Sequence, residues 1–100
     1  MADFHIDDID EVIHGRVRLG IMAYLSGVGS AEFTELKAKL QATDGNLSVH
    51  LRKLEDADYV VVDKSFVNRK PLTRVSLSDK GRTAFEKYLE AMTRLVDDRR

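Results

Sequence analysis

Residues 34–78, TELKAKLQATDGNLSVHLRKLEDADYVVVDKSFVNRKPLTRVSLS, hold two short amphipathic stretches followed by two β-rich ones. In the first stretch Leu36 and Leu40 stand one turn apart behind Thr34, whose hydroxyl can accept from free helical amides, so a short helix is expected over 34–41. Thr43 or Asp44 offers the next N-cap. Leu47, Leu51 and Leu54 then make an i, i+4, i+7 stripe, which predicts a helix over 44–57 packed on the one before it. Tyr59, Val60, Val61 and Val62 begin a strand that Phe66 and Val67 prolong, and Thr73, Val75 and Leu77 answer with alternating polarity. Asn68, Arg69, Lys70 and Pro71 lie between them as a turn-forming segment with a basic tip. The expectation is a hairpin over 59–78.

Upstream, Ile9, Val12, Ile13, Val17, Ile21, Tyr24, Leu25 and Val28 recur at three- and four-residue steps, which predicts a helix over 8–26. Ser26, Gly27, Val28, Gly29 and Ser30 break it, and 31–33 reads as a strand fragment. Downstream, Ser78 and Asp79 offer an N-cap before Phe85, Tyr88, Leu89, Met92, Leu95 and Val96, a stripe expected on a helix over 79–97. Two helices across a tight turn, followed by a two-stranded hairpin, are the parts of a winged helix-turn-helix whose second helix enters the DNA major groove. The fold class expected is mainly α with a small β hairpin, an α+β chain in one domain over 1–100. Its core would use Leu36, Leu40, Leu47, Leu51, Leu54, Val61 and Leu77, with Ile21 and Leu25.

The chain has 100 residues, 43% of them hydrophobic, which is one core's worth and leaves no room for a second domain. Sixteen Lys and Arg against 17 Asp and Glu give a formal charge of -1, without the bulk positive excess of many nucleic-acid binders. The distribution is uneven. Residues 1–44 hold 4 basic against 8 acidic side chains, whereas 64–82 hold Lys64, Arg69, Lys70, Arg74, Lys80 and Arg82 against Asp79 alone. A local cluster of this kind can contact phosphates even in a neutral chain. Lys64, Asn68, Arg69, Lys70 and Arg74 are therefore candidate DNA contacts from the hairpin. On the helix before it, Thr43, Asn46, Ser48, Val49, Arg52 and Lys53 fall away from the leucine stripe and are candidate readers. Asn can accept from N6 and donate to N7 on the major-groove edge of adenine, Arg can donate to both acceptors of guanine, and Val49 can meet a thymine methyl.

Other chemistry finds no constellation. The absence of cysteine removes disulfides, thiolate metal sites and thiol nucleophiles, and fits a reducing, cytoplasmic setting. No stretch approaches a membrane span, and the N-terminus lacks the pattern of a signal peptide. His5 stands near Asp7, Asp8 and Asp10, but residues within one acidic segment define no metal geometry, and His14 and His50 are separate. Gly27 and Gly29 join a helix to a strand fragment, the reverse of a phosphate cradle. Neither an enzyme nor a cofactor is expected.

The sequence resembles the small stand-alone winged-helix transcriptional regulators of the MarR/ArsR-like group, from about Ile13 to Tyr88. The resemblance is carried by His14 to Leu25 with Arg18, by Asn46 to Val60, and by Arg69, Lys70, Pro71, Thr73, Leu77, Gly81 and Arg82. Gly15 stands where the group often has proline, and Asp58 where many members have glycine. The metal-sensing branch uses Cys or His clusters that this chain lacks, so the resemblance supplies no sensor and leaves any small-molecule effector open. It implies a DNA-binding homodimer, with the third helix in the major groove and the wing at the adjacent minor groove or backbone. Phe4, Ile6 and Ile9 at one end, and Tyr88, Leu89, Met92, Leu95 and Val96 at the other, exceed what one core can cover and are the expected dimer seam. A two-fold pairing would hold two reading helices about one DNA turn apart, on an inverted-repeat operator of double-stranded DNA. The rival reading is a winged-helix protein interaction or assembly module, against which the basic wing argues.

Overall fold

The computed structural model describes residues 5–97. After a 3-10 turn at Ile6–Asp8, the order is α1 (Arg16–Val28), β1 (Ser30–Glu32), α2 (Phe33–Leu40), α3 (Asp44–Asp56), β2 (Val60–Val67), β3 (Lys70–Leu77) and α4 (Asp79–Asp97). The strands form one antiparallel sheet in the order β1-β3-β2, so the hairpin gains a third, short strand from the segment before α2. Fold class is thus α+β, with four α-helices and a winged hairpin among the described residues. Phe4 lies outside the described residues.

The helix expected over 8–26 begins only at Arg16. Asp10 is the reason: its carboxylate accepts the amides of Val12 at 2.8 Å and Ile13 at 3.3 Å, while its carbonyl accepts from His14 at 2.8 Å. A side chain that captures nearby amides offers the backbone an alternative to the helix. Gly15 then sits extended, at φ 162° and ψ 144°, and starts α1. The capped turn reproduces a helical step in its apolar positions, so Ile13 is fully buried while Ile9 and Val12 pack partly on the core. At its other end α1 runs two residues past Ser26 and closes at Gly29, whose φ of 85° is left-handed backbone that glycine accommodates. The Gly29 carbonyl also accepts from Leu77, which pins the end of β3.

Thr34 does not cap α2. The chain passes from β1 straight into the helix through Glu32, whose carboxylate is turned toward Arg74. Thr43 does cap α3, accepting the Asn46 amide at 3.1 Å, and a 2.8 Å ion pair from Lys37 to Asp44 joins the two helices across the turn. Leu36, Leu47, Leu51 and Leu54 are buried together with Ile21, Met22 and Leu25 of α1.

The parity of the first wing strand differs from expectation. Val60 is buried and Val61 is 56% exposed, because Val60 and Val62 pair with Leu77 and Val75 and face the helices. A strand alternates faces residue by residue, so one step exchanges core for solvent. The turn is also tighter than the four residues suggested. Val67 pairs with Lys70, leaving only Asn68 and Arg69, at φ 52° and 66°, as a two-residue loop of the mirror-image type that matches strand twist. Lys70 and Pro71 belong to β3.

Candidate nucleic-acid interface

The α3 surface is set by its leucines. With Leu47, Leu51 and Leu54 inward, Asn46, Ser48, Val49, Arg52 and Lys53 are all exposed, and Val49 is 54% exposed at the middle of the outer face. Thr43 stands at the head of this face, but its hydroxyl oxygen is engaged as the cap. Arg52 lies 3.7 Å from Asp56 one turn on, a solvent-exposed pair that holds the guanidinium only weakly. Between α3 and the wing lies a cleft of about 640 Å³, to which Ser48 and Arg52 contribute from the helix and Val62, Lys64 and Thr73 from the strands.

The basic residues of 64–82 do not form one patch. Lys64 faces α3 across the cleft, and Arg69 and Lys70 are exposed at the tip with Asn68. Arg74, expected among the DNA contacts, lies on the other face of the sheet, 3.8 Å from Glu32 and 3.4 Å from the Ser30 hydroxyl. The reason is again alternation: Val75 must point inward, so its neighbour points out. Lys80 and Arg82 belong to α4, where Lys80 lies 6.0 Å over the Tyr59 ring. Lys64 is thus the cation that the strands present to α3, Asn68 and Arg69 form the turn at the tip, and Lys70, paired with Val67, shares the outer face with Arg74.

A polar tether positions α3, and no motif announces it. Arg18 on α1 donates through Nε to the Val12 carbonyl at 2.6 Å, and its Nη1 lies 3.0 Å from His50 Nδ1 on α3. A guanidinium only donates, so Nδ1 must be the unprotonated nitrogen. Desolvation, then the Arg18 and Lys53 charges, hold the His50 pKa below its ordinary 6.5. Above that value folded and unfolded chains are both neutral here. As pH falls below it the unfolded chain takes the proton first, so stability is lost until the folded-state value is passed. Acid should therefore lower the melting temperature of the wild type more than that of His50→Gln, which keeps an acceptor but does not titrate; equal losses between pH 7 and 5 would remove His50 as the cause.

The other end of the molecule joins the N-terminal segment to α4. Tyr59 donates to Asp10 at 2.5 Å, and His14 Nδ1 lies 2.9 Å from the Tyr88 hydroxyl. Burial, with the Asp10 bond, pushes the Tyr59 phenol up to about 12. Tyr88, expected at a dimer seam, is only 3% exposed, stacked on Phe85 within the protomer's own core. Ile9 and Met92 also pack partly on that core. Leu89, Val96 and Ile6 remain exposed, at 48%, 53% and 64%, and Leu95 is half-buried. Among the described residues no three His, Asp or Glu side chains are grouped to hold a metal ion, and no helix is long and apolar enough to cross a membrane.

A capped helix with a polar outer face, reached across a turn and flanked by a hairpin with a basic tip, is the arrangement that the family model for winged helix DNA-binding domains describes, and it matches residues 17–96. The chain belongs to that family. An uncharacterised protein of Methanocaldococcus jannaschii is 39% identical over 85 residues, spanning 85% of this winged helix and 92% of its relative. The structure of a transcriptional regulator homologue from Pyrococcus horikoshii OT3 is 31% identical with a TM-score of 0.83, over 89% of this chain and 88% of that one. An ArsR family transcriptional regulator shares the fold with a TM-score of 0.59 at 20% identity, over 97% of each chain. The family is thus that of winged helix DNA-binding domains, and the fold is one that transcriptional regulators share.

Proposed function

We propose that this winged helix is a cytoplasmic, sequence-specific regulator that binds double-stranded DNA as a homodimer on an inverted-repeat operator. The observation that carries the reading is the outward face of α3, where Asn46, Val49, Arg52 and Lys53 are exposed and Lys64 flanks them across the cleft. Asn46 and Arg52 read bases, Val49 packs on thymine methyls, and Lys53, Lys64, Asn68, Arg69 and Lys70 hold the backbone. Ile6, Leu89, Leu95 and Val96, with Ile9 and Met92 behind them, supply the dimer seam. The exposure of Ile6, Leu89 and Val96, at 64%, 48% and 53%, supports this pairing.

Selection of bound fragments from random duplex DNA tests the reading. An enriched inverted repeat is expected, and each of Asn46→Ala and Arg52→Ala should relax preference at particular base pairs by roughly 1 to 3 kcal/mol. Absence of any enriched sequence would overturn it. The backbone contacts have their own readout. Changing Arg69 and Lys70 together to Ala should weaken binding and flatten the dependence of log affinity on log salt by about 0.9 for each phosphate no longer neutralised. Arg74→Ala, which disturbs only the outer sheet face, should leave that slope as it is. An unchanged slope for the double variant would remove the wing tip from the interface.

A further inference from the structure

Phe66 is 76% exposed, the most exposed large hydrophobic side chain among the described residues, yet it stands inside a regular strand. Strand alternation puts Val60, Val62, Lys64 and Phe66 on one face of the hairpin. The first two are packed against the helices and Lys64 lines the cleft beside Ser48 and Arg52, so Phe66 continues that inner face about 7 Å nearer the tip. Its cross-strand partner is Pro71, also exposed. In a two-residue hairpin the closing pair, here Val67 and Lys70, is hydrogen-bonded and the next pair is not. Proline's missing N–H is therefore harmless at position 71, and the two side chains lie in the closer type of pair. Asn68 and Arg69 hold left-handed backbone, which keeps the turn short and the tip narrow.

We propose that Phe66, backed by Pro71, is an apolar wedge that the wing presses into the minor groove of duplex DNA next to the major groove occupied by α3, partly unstacking a base step and bending the duplex. The inference rests on the DNA-binding reading and adds to it a residue that acts on DNA shape. Charge selects the occupant. Lys64 stands on the same face two residues away and Arg69 in the turn at its end, while Lys70 shares the opposite face with Val67; a cation on either side of the pair suits a polyanion. Size agrees, because Val61 and Val67, although exposed, lie on the opposite face of the ladder and cannot extend the patch toward the area of a protein interface. One aromatic ring on a narrow, basic support matches the dimensions of a minor-groove wedge.

The test compares wild type, Phe66→Ala, Phe66→Leu and the Arg69→Ala, Lys70→Ala double variant on a short mixed-sequence duplex with a fluorophore at each end, reading affinity at several salt concentrations and bending from energy transfer. Because Phe66 is exposed, its variants should fold, which circular dichroism checks. Phe66→Ala should lose about tenfold or more in affinity and most of the bend, while its salt slope stays at the wild-type value. Phe66→Leu, still a wedge, should retain most of both, and the double variant should show the reverse pattern of a flatter slope. Wild-type affinity and bending in Phe66→Ala would overturn the wedge while leaving DNA binding standing, and would turn the patch over to a protein partner. Failure of the wild type to bind duplex DNA at all would overturn the wedge together with the function on which it rests.

Discussion

Gly81→Ala should lower the melting temperature more than any other single-methyl change in this chain. A Cβ at that position would stand 2.0 Å from the Tyr59 carbonyl oxygen and 2.8 Å from the carbonyl carbon, with Leu77 Cδ1 at 3.0 Å. A flexible side chain could move aside, but a backbone carbonyl cannot, because Tyr59 also accepts from the Ser78 amide at 3.1 Å and its own amide bonds to Leu54. The helix would have to move instead. Ser78, which caps α4 by accepting the Gly81 amide at 2.9 Å and donates to the Asp58 carbonyl at 2.6 Å, would be pulled from both partners. Phe85 and Tyr88, which α4 carries into the core, would shift with it. Overpacking of this severity costs about 3 kcal/mol or more, and in a domain of this size that is a fall of roughly 10–25 °C. Gly27→Ala is the control: nothing lies within 4 Å of its Cβ position, and alanine in a helix should be neutral or stabilising by up to about 1 kcal/mol. Equal melting of Gly81→Ala and wild type would show that the first turn of α4 is looser than this contact requires.

The same residue shows what can be read from sequence. Gly81 is visible there as part of a family resemblance, but the contact that demands glycine joins α4 to the start of the wing, and no periodicity reports a carbonyl from 22 residues earlier. Features that a local period controls are legible: the leucine stripe of α3 and its Thr43 cap, the hairpin, and the long stripe of α4. Sequence misleads where two structures share one pattern. Ile9, Val12 and Ile13 fit a helix, yet an aspartate-capped turn places them on the same core. Three consecutive valines carry no parity, so an inward Val61 is as consistent with the sequence as an outward one, and only the pairing of Val62 with Val75 decides the face.

The candidate site divides along the same line. A helix whose inner face is leucine determines its outer face, so the α3 residues stand together where expected. A count of positive charge along the chain ignores the alternation of a strand and the start of a helix, so it gathers Arg74, Lys80 and Arg82 into a patch that the fold separates. The Arg18 to His50 tether spans 32 residues and Phe66 resembles any strand aromatic, so neither stands out without the fold.

Replacing Leu89 and Val96 together with Asp should convert a dimer into a folded monomer and cost most of the affinity for the operator. The two positions are seven residues apart on α4, hence on one stripe, and both are about half exposed in the protomer. Charges there leave the core intact. Tyr88 would be the wrong choice, since its ring is buried and its hydroxyl meets His14, so that an acid at 88 would unfold the chain whether or not it dimerises. Met92 is intermediate, because part of its surface already packs on the protomer. If a two-fold seam along α4 holds two α3 helices about 34 Å apart, the second half-site binds as an intramolecular event. Without that linkage, binding to an inverted repeat should weaken by about 10²- to 10⁴-fold, while binding to a single half-site changes little. Sedimentation at micromolar concentration, with melting as the check on folding, decides between the alternatives. A wild-type chain that sediments at its monomer mass of 11.3 kDa would remove the seam. A double variant that stays dimeric would move it elsewhere. A variant that is monomeric yet binds the inverted repeat as tightly as wild type would show that each half-site is read alone, and that the exposed leucine and valine of α4 serve some other contact.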